Sequence, residues 1–573
     1  MEPFKQSKFL TAAALFLSIA GFAPHLSAQP LDGIPELAAA SLQEKLYIER
    51  QILEYTASIL KVPPAQALSQ KQILSQDILD LSEKDTTEQE KAFLLKFADM
   101  VEKKTLRKNI TQFIENTKSS STPLGAKIRE TPQVNLDYAV ETLASSIEAV
   151  VRLRGLTSDS KQNSYLEWSS LSALMEIRLD QSLPGKENVL ALSGSQWLKT
   201  ENAEFLIDGE ASFAKRELLM NTAQSSINIL TWSVYDDLTG TELADLVIQL
   251  KKKNRNLKVR IMVDGQVAQQ AGRNAQLSRM EKAGAEVIRW FSQKNSFMGQ
   301  HRKMIVVDNQ HLVAGGLNYG DVYSHKNPDL KIARWRDTDI YLKGAGAEEG
   351  NQLFAKLWND QLSEQKKLKY AKMKITNLRS AQNESGVDVA ILNHDPQEPL
   401  EGSTIMMTIL KSIREAKNTI DIQNAYIILF PALKVEIQKA IRERNVKVRI
   451  LTNSAQSVDE PIVSIPILRS VLEFVKMGAE VYVKKNATLH SKLIVVDSEF
   501  SMIMSYNLHP RSERVEGEMA VAVRDSKFAT DLLEIYKEDI SESKAQRINT
   551  ESDLVLPNSP VSIPTLRLFF DML

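Results

Sequence analysis

One set of polar residues occurs twice in this chain of 573 residues, and the second copy lies 189 positions after the first. His301 and His490, Lys303 and Lys492, Asp308 and Asp497, and Asn318 and Asn507 all keep that separation, as do Leu257 and Val446 upstream. Gly284-Ala285-Glu286-Val287 returns as Gly478-Ala479-Glu480-Val481 at an offset of 194, so insertions and deletions inside the repeat compensate one another. Such a repeat requires two copies of one structural unit, and every local reading must then hold twice.

The unit reads as α/β. Ile227-Asn228-Ile229-Leu230 predicts a strand, residues 240–252 a helix and residues 257–263 a second strand. The pattern returns with a strand at 420–422, a helix at 432–443 and a strand at 446–451. The two copies are expected over residues 195–372 and 383–546, and the fold as α/β halves related by a pseudo-twofold. Residues 29–190 in front of them read as a helical N-terminal region. Leu46, Leu53 and Leu60 recur every seven residues before Pro63-Pro64, and Leu136, Val140, Leu143, Ile147 and Val150 stack on one helix face. That region carries no cluster of reactive groups.

Each copy contains His-x-Lys, four residues, Asp, and then a small-residue turn ending in Asn. In a strand, residues two apart share a face, so His and Lys are expected to project together from a buried strand. If the halves pack about a twofold, two imidazoles, two ammoniums and two amides converge on one pocket. That set suits phosphodiester transfer. Lys303, Lys492, Asn318 and Asn507 can stabilise the charge that spreads over the phosphoryl oxygens, and the reading calls for no metal ion or cofactor. One neutral imidazole can attack phosphorus and form a phosphohistidine, while the other gives a proton to the departing alkoxide and later removes one from the incoming alcohol or water. Carboxylates should orient the rings, and Asp337 and Glu518 follow the two histidines at similar distances. Asp308 and Asp497 either join the chemistry or tie down the turn after each strand. His311, His325 and His394 read as surface or packing residues, with His325 nearest a strand end that could border the pocket.

At these residues the chain resembles the phospholipase D superfamily, whose signature is the duplicated His-x-Lys-x4-Asp motif. Over residues 200–545 it is most similar to bacterial cardiolipin synthases of the C-type branch. Gly315-Gly316-Leu317-Asn318-Tyr319-Gly320-Asp321-x-Tyr323, Leu451-Thr452-Asn453-Ser454 and Asn507-Leu508-His509-Pro510-Arg511-Ser512 carry that similarity. The resemblance implies two phospholipase D-type α/β-sandwich domains, glycerophospholipid substrates and phosphatidyl transfer, with His301 as nucleophile and His490 as acid/base. A hydrolase releasing phosphatidic acid, a metal-independent nuclease and a non-catalytic envelope scaffold are the rival readings. Three positions depart from the pattern. Met504 replaces a usual Gly, Glu516-Gly517 replaces Asn-Thr, and His509 replaces Asp. Tyr319, Asp321 and Arg511 read as supports rather than direct ligands.

Lys and Arg total 71 against 72 Asp and Glu, so the net charge is −1 and no overall basic excess points to a nucleic-acid partner. There are no cysteines, which removes disulfides, thiolate metal sites and a Cys nucleophile. Residues 1–28 read as a secretory signal: Lys5 and Lys8 precede an apolar run over residues 9–23, with Ser27-Ala28 as cleavage site. The uncleaved alternative, an N-terminal anchor, stays open because Leu26 is large for its place. Either way the body is expected outside the cytoplasm, periplasmic or secreted and in contact with a membrane surface. Residues 547–573 form a C-terminal tail whose apolar end, 561–573, lies either in a membrane interface or on the protein's own surface.

Overall fold

Apolar runs of four to seven residues build the molecule, because a strand covered on both faces needs few polar positions. The computed structural model describes residues 178–554, apart from 293–297, 331–332, 376–385, 399–401 and 460–462, together with scattered positions between 103 and 176. The signal at 1–28, nearly all of the helical region at 29–190 and the tail from 555 onward lie outside the described residues. Both repeat copies fall within one compact unit, Leu171–Asp459 with Pro466–Leu554.

The first half contributes β1 (Leu198–Ile207), β2 (Ser226–Thr231), β3 (Lys258–Asp264), β4 (Glu286–Trp290), β5 (Gly299–Gln300), β6 (Met304–Val307), β7 (His311–Gly315) and β8 (Thr338–Gly344). The second contributes β9 (Val387–His394), β10 (Thr419–Gln423), β11 (Lys447–Asn453), β12 (Glu480–Lys484), β13 (Leu493–Val496), β14 (Phe500–Met504), β15 (Glu516–Arg524) and β16 (Ala545–Ile548). They form one continuous sheet in the order β4-β3-β2-β6-β7-β8-β1-β9-β15-β14-β13-β10-β11-β12-β16, while β5 pairs off this path with β15. Read outward from the centre, β1-β8-β7-β6-β2-β3-β4 and β9-β15-β14-β13-β10-β11-β12 are the same order. The equivalent strands β1 and β9 meet antiparallel, with Lys199 opposite Asp388 and an ion pair of 2.9 Å between them. Antiparallel contact between equivalent elements is what a local twofold produces.

The expected elements appear at both places. The helix Leu238–Lys253 starts at Asp237, whose side chain accepts from the Gly240 amide, and buries Leu243, Ala244, Val247 and Leu250. Lys251, Lys252 and Lys253 occupy its last turn, where cations suit the exposed carbonyls, and Lys251 donates to the Leu257 carbonyl at 2.8 Å. Its counterpart Pro431–Arg444 opens on Pro431, a residue whose missing N–H costs nothing in the first turn. Among the described residues, no helix is long and apolar enough to cross a membrane.

Strand directions place the site. β2, β3 and β4 run parallel, and β6 lies antiparallel to β2, with Met304 opposite Leu230. The start of β6 therefore sits at the carboxyl ends of the parallel strands, where open α/β sheets form their crevices. β7 ends there and β8 begins there, so the residues before β6, after β7 and before β8 collect at one sheet end. The second half repeats this through β13, β14 and β15.

Candidate active site

His301 and Lys303 immediately precede β6, and His490 and Lys492 precede β13, so neither motif lies within the strand as the alternation had suggested. The polypeptide is held straight by the opposite half instead. The His301 amide donates to the Gly517 carbonyl at 2.9 Å, extending the β5–β15 pairing, and the His490 amide donates to the Arg336 carbonyl at 2.7 Å. Each histidine is thus carried by one half and seated on the other.

The carboxylates follow the same exchange. His301 Nδ1 lies 2.8 Å from Glu518 Oε1, and His490 Nδ1 lies 2.6 Å from Asp337 Oδ2. Each carboxylate thus meets the imidazole of the other copy, not the one it follows in the sequence. With Nδ1 engaged, Nε2 is the nitrogen left to face substrate. Four aromatic contacts wall the rings: Trp232 meets His301 edge-on at 5.9 Å, Tyr323 meets His490 edge-on at 5.2 Å, and Trp335 stacks on His490 at 5.2 Å and meets Tyr323 edge-on at 4.8 Å. Trp232 escaped the sequence reading. Its signal is position, one residue past the end of β2 at the crevice side of the sheet.

Lys303 and Lys492 are fully buried, and each donates to the carbonyl of the histidine two residues before it. Burial pushes Lys303 down to about 7, with Glu518 opposing and the Lys492 ammonium reinforcing. Burial likewise pushes Lys492 down to about 8 against Asp337 and Glu518. His490 is held down to about 3, first by burial and then by Lys492, against the pull of Asp337. The two motifs therefore act on one another electrostatically across the repeat. Two ammoniums buried together without a salt-bridging carboxylate, among the described residues, leave room for an anion's charge.

The amides differ. Asn318 accepts from the Thr231 hydroxyl at 3.1 Å and donates to the Tyr323 hydroxyl at 3.1 Å. Asn507 is 3% exposed, and its side-chain oxygen has no partner. This buried carbonyl oxygen, three residues past the end of β14, lacks a donor, whereas that of its counterpart Asn318 has one.

Asp308 and Asp497 lie at the far ends of β6 and β13, outside this cluster. Asp308 accepts from the Gln224, Ser225 and Ser226 amides at 2.7–2.8 Å, and Asp497 from the Lys417, Asn418 and Thr419 amides at 2.7–2.9 Å. These contacts pin the chain entering β2 and β10. Of the two parts left open for this pair, the geometry gives turn anchoring and corrects the placement of both among the catalytic residues.

The three departures have local reasons. A Cβ at Gly517 would meet Arg302 Nη1 at 2.1 Å, so the buried Arg302 guanidinium excludes a side chain there. Glu516 accepts from Arg511 Nε at 2.6 Å and stands 3.8 Å from His301 Nδ1. Burial alone would raise it, but His301, Arg511 and His509 hold its carboxyl well below the usual range. His509 caps the short helix Pro510–Arg514 by accepting from the Ser512 amide through Nδ1, the part an Asp usually plays. That needs a neutral ring, and burial holds His509 down to about 4. Met504 is buried at the end of β14 opposite Ala520. Its counterpart Gly315 has φ +154° and would bring a Cβ within 2.4 Å of Asp339, a restriction absent from the second half.

The remaining histidines among the described residues pack. His311 bonds the Tyr341 hydroxyl at 2.9 Å, and His394 donates to the Glu513 carbonyl at 3.0 Å. His325 donates to the Trp335 carbonyl at 2.8 Å, and its Nδ1 lies 2.7 Å from Glu210. Tyr319, Asp321 and Arg511 support: Arg216 covers the Tyr319 ring at 4.9 Å, Asp321 accepts from the Thr239 amide and hydroxyl at 2.8 Å, and Arg511 holds Glu516. The ligand atoms of His301, Glu516 and Glu518 lie within 4.8 Å of one another, a spacing open to a cation. Arg511, Ser505 and Ser512 already donate to these carboxylates, so that cluster is satisfied as a hydrogen-bond network.

A duplicated α/β half with paired, cross-seated histidines fits a phospholipase D-type protein, and similarity to known proteins supports that reading. The family model for the cardiolipin synthase, PLD-like domain matches residues 218–342 and 409–540. A cardiolipin synthase of Halalkalibacterium halodurans is 27% identical over 357 residues, covering 60% of this chain and 67% of that protein. The major cardiolipin synthase of Bacillus subtilis is 28% identical over 353 residues, covering 60% and 70%. Phosphatidylserine synthase from Haemophilus influenzae matches in fold with a TM-score of 0.53 at 16% identity, over 66% of this chain and 93% of its own. Within the superfamily the chain stands close to the cardiolipin synthases, as an enzyme of the phosphatidyltransferase/phospholipase D type.

Proposed function

We propose that the chain transfers a phosphatidyl group from one glycerophospholipid to an alcohol through a phosphohistidine, with cardiolipin as the product. The observation that carries this is the crossed pair: two imidazoles, each held at Nδ1 by a carboxylate of the opposite half, beside two buried ammoniums. A carboxylate at Nδ1 leaves Nε2 ready either to attack phosphorus or to carry a proton, and the ammoniums offset charge on the phosphoryl oxygens. The Trp232, Tyr323 and Trp335 rings beside the histidines support an alcohol as acceptor, because apolar walls disfavour water. Lipid vesicles of phosphatidylglycerol and phosphatidylethanolamine, with and without added alcohol, test the reading by separation of the products. Cardiolipin is the expected outcome. Phosphatidic acid as sole product would replace transfer by hydrolysis, and DNA cleavage without lipid turnover would replace both.

Export by residues 1–28 and contact with a membrane surface belong to the same proposal, supported by the basic start and apolar run of that segment. Fractionation with N-terminal sequencing of the mature chain is expected to find it outside the cytoplasm, beginning near residue 29.

A further inference from the structure

Each histidine segment is held on two sides, and the contacts with the opposite half account for only one of them. The other side is held from within the same half, by the last residue of the middle parallel strand. β3 ends at Asp264 and β11 at Asn453, 189 positions apart. The residues just before the histidines, Gln300 and Leu489, keep the same separation. Asp264 Oδ2 accepts from the Gln300 amide at 2.8 Å, and Asn453 Oδ1 accepts from the Leu489 amide at 2.9 Å. Both side chains are buried. Gln300 also pairs with Gly517 of the second half, and Leu489 with Arg336 of the first. The peptide in front of each imidazole is therefore clamped between a side chain of its own half and the backbone of the other.

The two ties differ in chemistry. Asp264 meets amides alone, since Oδ1 accepts from the Val267 amide at 2.9 Å and caps the short helix Gly265–Ala268. A carboxylate, which only accepts, suits two N–H groups. Asn453 meets groups of both kinds. Its Nδ2 donates to the Leu489 carbonyl at 2.7 Å and the Ala425 carbonyl at 2.9 Å, and its Oδ1 also accepts from the Ser457 hydroxyl at 2.8 Å. An amide has the two donors and one acceptor that this place needs. The residues cannot be exchanged. An amide at 264 would turn an N–H toward an N–H, and a carboxylate at 453 would face two carbonyls.

Resting on the two-histidine chemistry proposed above, we infer that Asp264 and Asn453 are positioning residues, each aiming the imidazole of its own half, Asp264 that of His301 and Asn453 that of His490. The crossed carboxylates act at the ring, on Nδ1, whereas the strand-end ties act on the backbone that carries it. A displacement of about 1 Å at a reacting group costs about 10²-fold in rate.

Histidine-selective ¹⁵N labelling of the full chain reads the two rings separately. Two low-field Nδ1–H resonances are expected, one for His301 against Glu518 and one for His490 against Asp337, assigned by their loss in the His→Ala variants. Asp264→Ala and Asp264→Asn should shift or broaden the His301 resonance and leave that of His490 in place. Asn453→Ala and Asn453→Asp should do the reverse. On phosphatidylglycerol vesicles each variant should lower kcat by about 10–10²-fold with KM changed less than about threefold. Asp264→Asn and Asn453→Asp keep the size of the side chain and carry the test where an alanine variant unfolds by circular dichroism. One substitution that moves both resonances together would overturn the inference, because general loosening reaches both rings. Variants that move neither, or that keep wild-type kcat, would overturn it too. Wild-type enzyme that transfers no phosphatidyl group would overturn the function proposed above, while the resonances still decide the positioning.

Discussion

The two halves share one strand order and one motif, yet they meet through unlike side chains. The residue inside the first His-x-Lys is Arg302, and it faces Gly517 of the second half; the residue inside the second is Ser491, and it faces Arg336 and Thr338 of the first. Each seat holds one large and one small partner, exchanged between the copies. Gly316 leaves space for Asp337, whose oxygen lies 2.2 Å from where a Cβ would stand, while its counterpart Ser505 donates to Glu518. Duplication therefore supplies a scaffold in which equivalent positions occupy one pocket, and substitution at the seats sets different fields around chemically identical rings. The lesson is that neither half holds a complete site: each has a histidine whose carboxylate belongs to the other.

The sharpest way to break this comparison is to remove the crossed carboxylates. Asp337→Asn and Glu518→Gln should each lower kcat on phosphatidylglycerol by about 10²–10⁴-fold with the fold retained by circular dichroism. In double-mutant cycles Asp337 should couple to His490 and Glu518 to His301, so that each crossed pair loses little more than its worse single variant. Coupling within halves instead, Asp337 with His301, would undo the exchange.

A smaller effect concerns the buried ammoniums. Because burial pushes Lys303 to about 7 and Lys492 to about 8, their positive charge is lost as pH rises through that range. In the free enzyme kcat/KM should then fall by about tenfold per unit between pH 7 and 8, where Lys303 loses its proton, and by about a hundredfold per unit above pH 8, where both are lost. Lys303→Arg, which stays charged, should move the decline upward; a flat profile to pH 10 would contradict the shared charge. The smallest effect contrasts the far ends of the strands. Asp308→Ala and Asp497→Ala should each cost about 1–3 kcal/mol in urea unfolding, through the amides they leave unpaired, with kcat changed less than threefold. The loss should be larger at Asp497, which also pairs with Lys186 at 2.7 Å.

Much of this was legible in advance for physical reasons. The segments 227–230, 257–263 and 446–451, where Asn228, Lys258, Arg260, Lys447 and Arg449 alternate with β-branched and other apolar residues, read as strands, and constant spacing of His, Lys and Asn forces those groups into equivalent places. The crossing was not legible. His301 and Glu518 are 217 residues apart and His490 and Asp337 are 153 apart, and spacing inside one copy says nothing about which copy supplies a partner. Nor does alternation show that the His-x-Lys segments precede their strands, since the straightening comes from hydrogen bonds to the other half. Asp308 and Asp497 were ambiguous because a carboxylate after a strand serves a turn or a site equally well until strand direction is known. Trp232 belongs to no motif, and only the sheet end on which it stands marks it.

The central claim is that two imidazoles distant in sequence face one phosphorus. A crystal structure with orthovanadate, which adopts the five-coordinate shape of phosphoryl transfer, tests it most directly. The account predicts one vanadium per chain, contacted by Nε2 of both His301 and His490 and by Lys303 and Lys492, and lost in either His→Ala variant. Vanadium bound by one ring alone, with the other opening onto a separate cleft, would contradict it.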